Sequence, residues 1–225
     1  GRGWAAGGKG ALPATEDAGA TWERRPSPSE DTLSDLFFVD GETGWAVCER
    51  DISKLKTREE HRSYLLKTED GGQTWRRVEV AGADVDARLV GVRFAGRGHG
   101  WAFGEMGALY ATSDGGRTWS RQRVPTSRLL LAGTFLDPRQ GWLVGAGAAA
   151  LYTNDGGATW REGKVNAPLA EYALRGRENS HRREEASASP ARPAARTGAV
   201  SPTSVRLNAV SFVSARRGWA VGTGG

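Results

Sequence analysis

Hydrophobic and polar positions alternate along this chain in short runs that predict β-strands. The clearest run is Leu89–Phe94, in which Val90, Val92 and Phe94 fall on one face of a strand. A glycine-rich turn follows at 96–99, and three more strands are predicted at 100–104, 108–112 and 118–124. Because links this short join antiparallel neighbours, the segment predicts one sheet of four antiparallel strands.

Two motifs alternate along the whole chain. Gly-Trp followed by small or apolar residues occurs at Gly3–Ala6, Gly44–Val47, Gly100–Phe103, Gly141–Val144 and Gly218–Val221. A turn motif, Thr-x-Asp-Gly-Gly-x-Thr-Trp with Ala for the first Gly in its first copy, occurs at Thr15–Trp22, Thr68–Trp75, Thr112–Trp119 and Thr153–Trp160. All 9 tryptophans belong to one motif or the other, so the two motifs define a repeat.

The spacing of the motifs gives the size of the repeating unit. Consecutive Gly-Trp motifs lie 41 residues apart from Trp4 to Trp45 and again from Trp101 to Trp142. A period of about 40–45 residues with several strands per unit is typical of a β-propeller blade. The sequence therefore predicts an all-β fold, with residues 1–225 forming a single β-propeller of four-stranded blades. It begins at a second strand and stops where a third is due, so we expect an incomplete ring of about four to five blades.

The turn motif, an Asp-box, has a physical reason at each position. Asp114 is expected to accept hydrogen bonds from backbone N–H groups of a hairpin between strands three and four, while Gly115 and Gly116 allow positive φ. Trp119 is expected to bury its ring between neighbouring blades. In the first copy Ala18 follows Asp17, which predicts a looser or different turn there. We expect structural roles for Asp17, Trp22, Asp70, Trp75, Asp114, Trp119, Asp155 and Trp160.

Two segments break the repeat. The distance between the paired tryptophans is 18 residues in three units but 30 from Trp45 to Trp75, which places an inserted charged loop or short helix at 49–62. The second insertion, 171–205, is rich in Arg, Ala, Ser and Pro and is predicted to be flexible. Leu207–Phe212 then resumes strand one of the next blade.

The combination of both motifs resembles the photosystem II assembly and stability factor family of plants and cyanobacteria, which are Asp-box propellers. The resemblance is clearest in Leu89–Trp119, Leu131–Trp160 and Leu207–Gly222. It implies a non-enzymatic protein-binding scaffold that binds a subunit of a membrane complex during assembly. It also implies a place outside the cytoplasm, in the periplasm or thylakoid lumen or as a secreted protein. The long insertion rich in Arg, Ala, Ser and Pro and the missing blades depart from that family's pattern.

Asp-boxes also occur in sialidases and xyloglucan-degrading glycosidases, so a fragment of a glycoside hydrolase is the alternative. That chemistry requires two carboxylates about 5–10 Å apart across a sugar. Asp40 and Asp137 occupy equivalent loops before a Gly-Trp motif, which favours a role in the turns. Glu105 has no acidic counterpart in the other units and is the one carboxylate that stands out, but we assign no catalytic residue.

Composition adds few constraints on chemistry. The net charge of +5 is consistent with an anionic partner or with a solvated basic surface. The basic insertion could itself bind an anionic surface. The same two interpretations, a basic strip on one blade or a solvated edge, apply to four arginines: Arg93, Arg97, Arg121 and Arg123. The single Cys48 excludes an internal disulfide, and no apolar run reaches the ~18 residues of a membrane span. The three histidines, His61, His99 and His181, lack the spacing of metal ligands, so we expect no metal site. We also expect no cofactor, no nucleic-acid partner and no insertion into a membrane.

Overall fold

The computed structural model describes residues 1–27, 29–57, 60–80, 87–163 and 205–223. In these ranges the regular structure consists of strands β1–β17 and two single-turn 3-10 helices. The predicted insertion at 171–205 lies outside the described residues except for Val205. No helix among the described residues is long and apolar enough to cross a membrane.

The strands form five successive antiparallel sheets, which we number as blades 1 to 5. Blade 1 contains β1 (Gly3–Trp4), β2 (Pro13–Thr15) and β3 (Glu23–Arg24). Blade 2 contains β4 (Thr32–Phe38), β5 (Gly44–Glu49), β6 (Ser63–Thr68) and β7 (Arg76–Val78). Blade 3 contains β8 (Leu89–Ala95), β9 (His99–Gly104), β10 (Leu109–Thr112) and β11 (Ser120–Arg121). Blade 4 contains β12 (Leu130–Phe135), β13 (Gly141–Gly145), β14 (Ala150–Thr153) and β15 (Arg161–Glu162), and blade 5 contains β16 (Arg206–Ser214) and β17 (Arg217–Thr223).

The blades are arranged as in a β-propeller. Within each sheet the strands follow chain order, and the first strands of successive blades lie side by side, with β8 between β4 and β12 and β12 next to β16. The described blades do not close into a ring. The four-stranded blades and the strand at Leu207–Phe212 are therefore confirmed, although the fourth strand of blade 3 is only Ser120–Arg121 rather than the predicted 118–124.

The glycine of the Gly-Trp motif is required by a phenylalanine in the paired strand. Phe38 lies opposite Gly44, and Phe212 lies opposite Gly218. A Cβ added at Gly44 would come within 2.6 Å of the Phe38 ring, and one at Gly218 within 2.5 Å of the Phe212 ring. The phenylalanine ring occupies the space that a side chain would need, which explains why the Gly-Trp motif has glycine at this position.

The same phenylalanines connect neighbouring blades. The tryptophan of each of the first four Gly-Trp motifs stacks on the phenylalanine of the next blade, in the pairs Trp4–Phe38, Trp45–Phe94, Trp101–Phe135 and Trp142–Phe212. The Asp-box tryptophan of that next blade then packs edge-on against the phenylalanine, in the pairs Trp75–Phe38, Trp119–Phe94 and Trp160–Phe135. We call each set of three rings an aromatic triad. It takes one ring from one blade and two from the next.

The hydrophobic core consequently lies between blades. One buried cluster joins Trp45 and Leu65 of blade 2 to Val92 and Tyr110 of blade 3. A second joins Trp101 and other residues of blade 3 to Leu130 and Leu143 of blade 4. Burial of each large side chain contributes about 1.5–3 kcal/mol, so the stability of one blade depends on its neighbours.

The two ends of the blades differ in construction. At one end, the Asp-box end, each Asp-box hairpin hydrogen-bonds the loop between strands one and two, as in Gly71 N to Glu42 O and Gly115 N to Gly98 O. The opposite end carries the hairpins between strands two and three and the connections from one blade to the next. The insertion at 49–62 leaves from this opposite end. Its described part contains a 3-10 helix at Ile52–Lys54.

Candidate functional site

The Asp-box carboxylates are engaged within their own turns. Asp114 accepts hydrogen bonds from the Thr118 backbone N–H at 2.9 Å, from the Thr118 hydroxyl at 2.6 Å and from the Thr112 hydroxyl at 2.8 Å. The Thr112 hydroxyl in turn accepts a bond from Gly116 N at 2.9 Å. Gly115 and Gly116 have φ of 70° and 79°, as predicted for this turn. The carboxylate closes the hairpin and has little capacity left for a ligand.

The first Asp-box has the same geometry as the others, and the prediction of a looser turn is wrong. Asp17 accepts bonds from Thr21 N at 2.9 Å and from the Thr15 hydroxyl at 2.7 Å. Ala18 takes φ of 63° and Gly19 takes 94°. The hydrogen-bond set thus holds an alanine in a left-handed conformation that ordinarily favours glycine.

Hydrogen bonds keep the Asp-box carboxyls ionised. Bonds from the Thr74 side chain and backbone, followed by the Thr68 hydroxyl, lower the pKa of Asp70 to about 2. The equivalent bonds from Thr159 lower the pKa of Asp155 to about 2, and the pKa values of Asp17 and Asp114 are lowered in the same way. A general acid needs a raised pKa, so these groups are unsuited to protonating a leaving group.

The Asp-box tryptophans differ in burial along the chain. Trp119 and Trp160 are each 7% exposed and lie between blades, as predicted for Trp119. Trp75 is partly buried, whereas Trp22 is 49% exposed. The buried and partly buried tryptophans are those that belong to an aromatic triad. Trp22 contacts no such pair of rings among the described residues, and its ring is the exposed one.

Glu105 lies in an ion-pair network at the opposite end. Arg88 contacts Glu105 at 3.2 Å and Glu49 at 2.6 Å, and Arg62 contacts Glu105 at 3.1 Å. The Arg88 backbone N–H also donates to Glu105. The network joins the base of the 49–62 insertion in blade 2 to the hairpin between β9 and β10 in blade 3. Each carboxylate already has a guanidinium partner, so the arrangement stabilises the junction rather than presenting a free acid.

The other acidic candidates serve turns. Asp40 accepts bonds from Thr43 N at 2.7 Å and Glu42 N at 2.9 Å, and these backbone bonds lower its pKa to about 2. Asp137 accepts bonds from Arg139 N and Gln140 N in the same pattern. The prediction that Asp40 and Asp137 serve their turns is confirmed.

Two open clefts carry an excess of cationic side chains. One cleft of about 530 Å³ lies beside the connection between blades 1 and 2 and is lined by Lys9, Arg24, Arg25 and Glu30. The other, of about 420 Å³, lies at the Asp-box end between blades 2 and 3 and is lined by Lys67, Glu69, Arg76, Arg97, Asp114 and Arg117. We call them the first cleft and the second cleft. In both clefts cations outnumber carboxylates, which favours anionic ligands.

The proposed basic strip on blade 3 is not a continuous feature. Arg93 contacts Asp35 at 2.6 Å on the neighbouring first strand, and Arg97 contacts Glu42 at 3.1 Å and also Asp40. Their charges are therefore matched by carboxylates of blade 2. Arg123, by contrast, is exposed on the connection that follows β11.

Among the described residues, Cys48 and the two histidines His61 and His99 form no reactive site. Burial raises the pKa of the Cys48 thiol to about 12, so it stays protonated and is a poor nucleophile. His61 and His99 are each partly buried, and no group of three or more His, Cys, Asp or Glu residues among the described positions could hold a metal ion. His181 lies outside the described residues.

The triad phenylalanines were not identified as a repeat from the sequence. A signal was present, because each lies six residues before its Gly-Trp motif: Phe38, Phe94, Phe135 and Phe212. The Arg88 network gave no comparable signal, since its members come from two blades and occupy no repeated position.

Comparison with known proteins supports the predicted resemblance. Residues 60–126 match the family described as photosynthesis system II assembly factor YCF48. The structure of YCF48 from Cyanidioschyzon merolae aligns at 27% identity over 64% of this chain and 43% of that chain, with a TM-score of 0.51. The chain thus spans less than half the length of that relative. The resemblance to this family and the propeller fold are confirmed.

Other comparisons are more distant. The GH74 enzyme from Niastella koreensis aligns at 14% identity over 72% of this chain and 28% of that chain, with a TM-score of 0.54, which shows a shared fold alone. A structure described as YCF48 bound to D1 peptide aligns at 17% identity over 100% of this chain and 87% of that chain, with a TM-score of 0.44. We infer nothing about binding from that alignment. No curated protein matches the chain significantly.

Proposed function

We propose that this chain is a non-enzymatic protein-binding scaffold that assists the assembly of a membrane protein complex. The observation that carries the proposal is the match of residues 60–126 to the photosystem II assembly factor family. That segment contains the end of blade 2 and all of blade 3. We further propose that the protein works outside the cytoplasm, in the periplasm or thylakoid lumen, and that its partner is a subunit of the complex.

The charge distribution suggests how such a partner is held. In the second cleft, Lys67 contacts Glu69 at 2.7 Å and Arg76 lies 3.8 Å from the same carboxylate. Arg117 lines the cleft as well and adds to the positive charge near Glu69. An acidic segment of a partner would pair with the excess positive charge of the cleft and would bind less tightly as salt screens that charge.

The geometry gives the glycoside hydrolase alternative less support. The carboxylates of the Asp-boxes accept hydrogen bonds within their own turns, and so do those of Asp40 and Asp137. Glu105 pairs with two arginines. The similarity to the GH74 enzyme is a similarity of fold, and no enzymatic activity is inferred from it. We therefore propose structural roles for the Asp-box residues and no catalytic role for Glu105.

An affinity pull-down of the whole protein from its host's membranes, with partners identified by mass spectrometry, tests the proposal. We expect enrichment of a membrane-complex subunit, and we expect a doubly substituted Arg76→Glu/Arg117→Glu protein to lose it. Arg123→Glu changes the charge of an exposed arginine outside both clefts and is the matched control.

Recovery of no membrane protein, together with binding or cleavage of β-glucan in a parallel assay, would overturn the scaffold proposal in favour of the hydrolase. Equal capture by the doubly substituted protein and by the Arg123→Glu control would show that the partner does not use the second cleft.

A further inference from the structure

Lys67 is a buried lysine that lines the second cleft. It is 8% exposed, whereas the side chain of Glu69, whose carboxylate lies 2.7 Å from the Lys67 ammonium group, is 61% exposed. The ammonium group also donates to the Gly115 carbonyl at 3.2 Å and lies 5.4 Å from the centre of the Trp45 ring. Gly115 belongs to blade 3 and Trp45 to blade 2, so groups from both sides of the junction position Lys67 in addition to Glu69.

The cations of this cleft are not part of the repeat. Lys67 immediately precedes an Asp-box, and Arg117 occupies the variable position before the second Asp-box threonine. The residues equivalent to Lys67 in the other three repeats are Ala14, Ala111 and Tyr152. Those equivalent to Arg117 are Ala20, Gln73 and Ala158. Residues that only hold blades together recur from blade to blade, as the aromatic triads do, so cations confined to one junction favour a role in binding.

A buried ammonium group requires an anion beside it. Removal of an unpaired charge from water is unfavourable, so Lys67 needs a carboxylate or a similar oxyanion against it. Glu69 is that anion here, and the hydrogen bond from Lys67, followed by the charges of Arg76 and Arg117, lowers its pKa. Because Glu69 is the exposed member of the pair, rotation of its side chain returns the carboxylate to water. Lys67 is buried and has no such freedom.

We propose that Lys67, Arg76 and Arg117 form a carboxylate-binding site, that Glu69 is its internal occupant, and that an acidic side chain of the partner protein displaces Glu69. This exchange rests on the proposed function, because the partner is the one proposed above. A partner that offers a single carboxylate only replaces Glu69. A segment with several carboxylates also pairs with Arg76 and Arg117, so the internal competitor makes the cleft selective for strongly acidic segments.

Fluorescence anisotropy of a short labelled polyglutamate peptide, titrated with the purified whole chain, tests the exchange. We expect Glu69→Gln to bind the peptide about three- to tenfold more tightly than the wild type, because the amide keeps the shape of the side chain but no longer competes for Lys67. Glu79→Gln is the matched control. Glu79 also pairs with an arginine and is 49% exposed, but it lies outside the cleft. Its substitution removes the same charge and should change the affinity by less than about twofold.

Lys67→Met separates the site from the general effect of charge. We expect this variant to bind the peptide more weakly than the wild type, and the addition of Glu69→Gln should then give no gain. Arg117→Gln removes a second cation of the site at an exposed position and should also weaken binding. The test therefore does not depend on the fold tolerating a change at the buried lysine, and circular dichroism identifies the variants that keep the wild-type fold.

Equal affinities of Glu69→Gln and Glu79→Gln for the peptide would overturn the exchange. A full gain from Glu69→Gln in the Lys67→Met background would also overturn it, as would the absence of peptide binding by every variant. These outcomes are separate from the pull-down, because recovery of a membrane-complex subunit does not require Glu69 to compete. A gain for Glu69→Gln with no membrane protein recovered would instead support the carboxylate site and remove the proposed partner.

Discussion

The ring of Trp101 stacks on the ring of Phe135 with the two centroids 3.8 Å apart and the planes 4° from parallel. Trp101 belongs to blade 3 and Phe135 to blade 4, and Trp160 completes the triad at 6.2 Å from Phe135. The same relationship recurs along the row of blades. Gly-Trp motif and Asp-box are thus the two sides of one interface, and this explains why the sequence repeats them together.

Removal of one triad ring should destabilise the fold strongly. Phe94 is 5% exposed and contacts both Trp45 and Trp119. We expect Phe94→Ala to lower the free energy of unfolding by about 3–5 kcal/mol in urea titrations, because it opens a cavity at a junction between two blades. Leu136→Ala, at a side chain 39% exposed, should change it by less than about 1 kcal/mol. Equal effects would contradict the role of the triad.

The space beneath Trp45 gives a second test. Gly116 and Gly96 both have positive φ, of 79° and 74°, but an added Cβ would overlap Trp45 at Gly116 and would meet nothing within 4 Å at Gly96. We expect Gly96→Ala to cost about 1–2 kcal/mol from backbone strain alone. Gly116→Ala should cost about 1–3 kcal/mol more from overpacking. Urea unfolding of both variants isolates the contact, and similar costs would argue against it.

Stability should fall in acid because of the Asp-boxes. Hydrogen bonds from Thr159 and Thr153 lower the pKa of Asp155 from 3.8 to about 2. A lowered folded pKa gives stability that is fully present above the unfolded value and is lost as the pH falls through the folded value. The melting temperature should therefore drop between pH 3.8 and about pH 2. Asp155→Asn and Thr159→Val should each flatten this part of the profile, and an unchanged slope would contradict the assignment.

The alanine in the first Asp-box predicts a stabilising substitution. Ala18 is held at φ of 63°, where an L-residue is strained by about 1–2 kcal/mol and glycine is not. Glycine costs about 0.5–1 kcal/mol in unfolded-chain entropy, so Ala18→Gly should raise the free energy of unfolding by about 0.5–1 kcal/mol. Ala20→Gly, two residues away without positive φ, should lower it slightly. Destabilisation by Ala18→Gly would show that this turn is not strained.

Local patterns predicted much of this structure. Alternation located the strands of blade 3, and the Asp-box chemistry at Asp114 followed from the turn residues. Blade stacking was only partly predictable, because Trp119 was placed between blades while its partner Phe94 was assigned only to a strand face. The Arg88, Glu105 and Glu49 network was not predicted, since long-range ion pairs follow from how blades rotate against each other. The strained turn at Ala18 was missed because the hydrogen-bond set outweighs the local preference of one residue.

Each triad has a direction, since a blade gives one ring to the blade after it and two rings to the junction with the blade before it. Every four-stranded blade therefore has one side that gives a single ring to a junction and another side that gives two rings. A copy of such a blade placed beside its original would find a compatible neighbour on each side. Changes in the number of blades by gene duplication then require no new interface, and the sequence of each blade can diverge afterwards wherever the rings are kept.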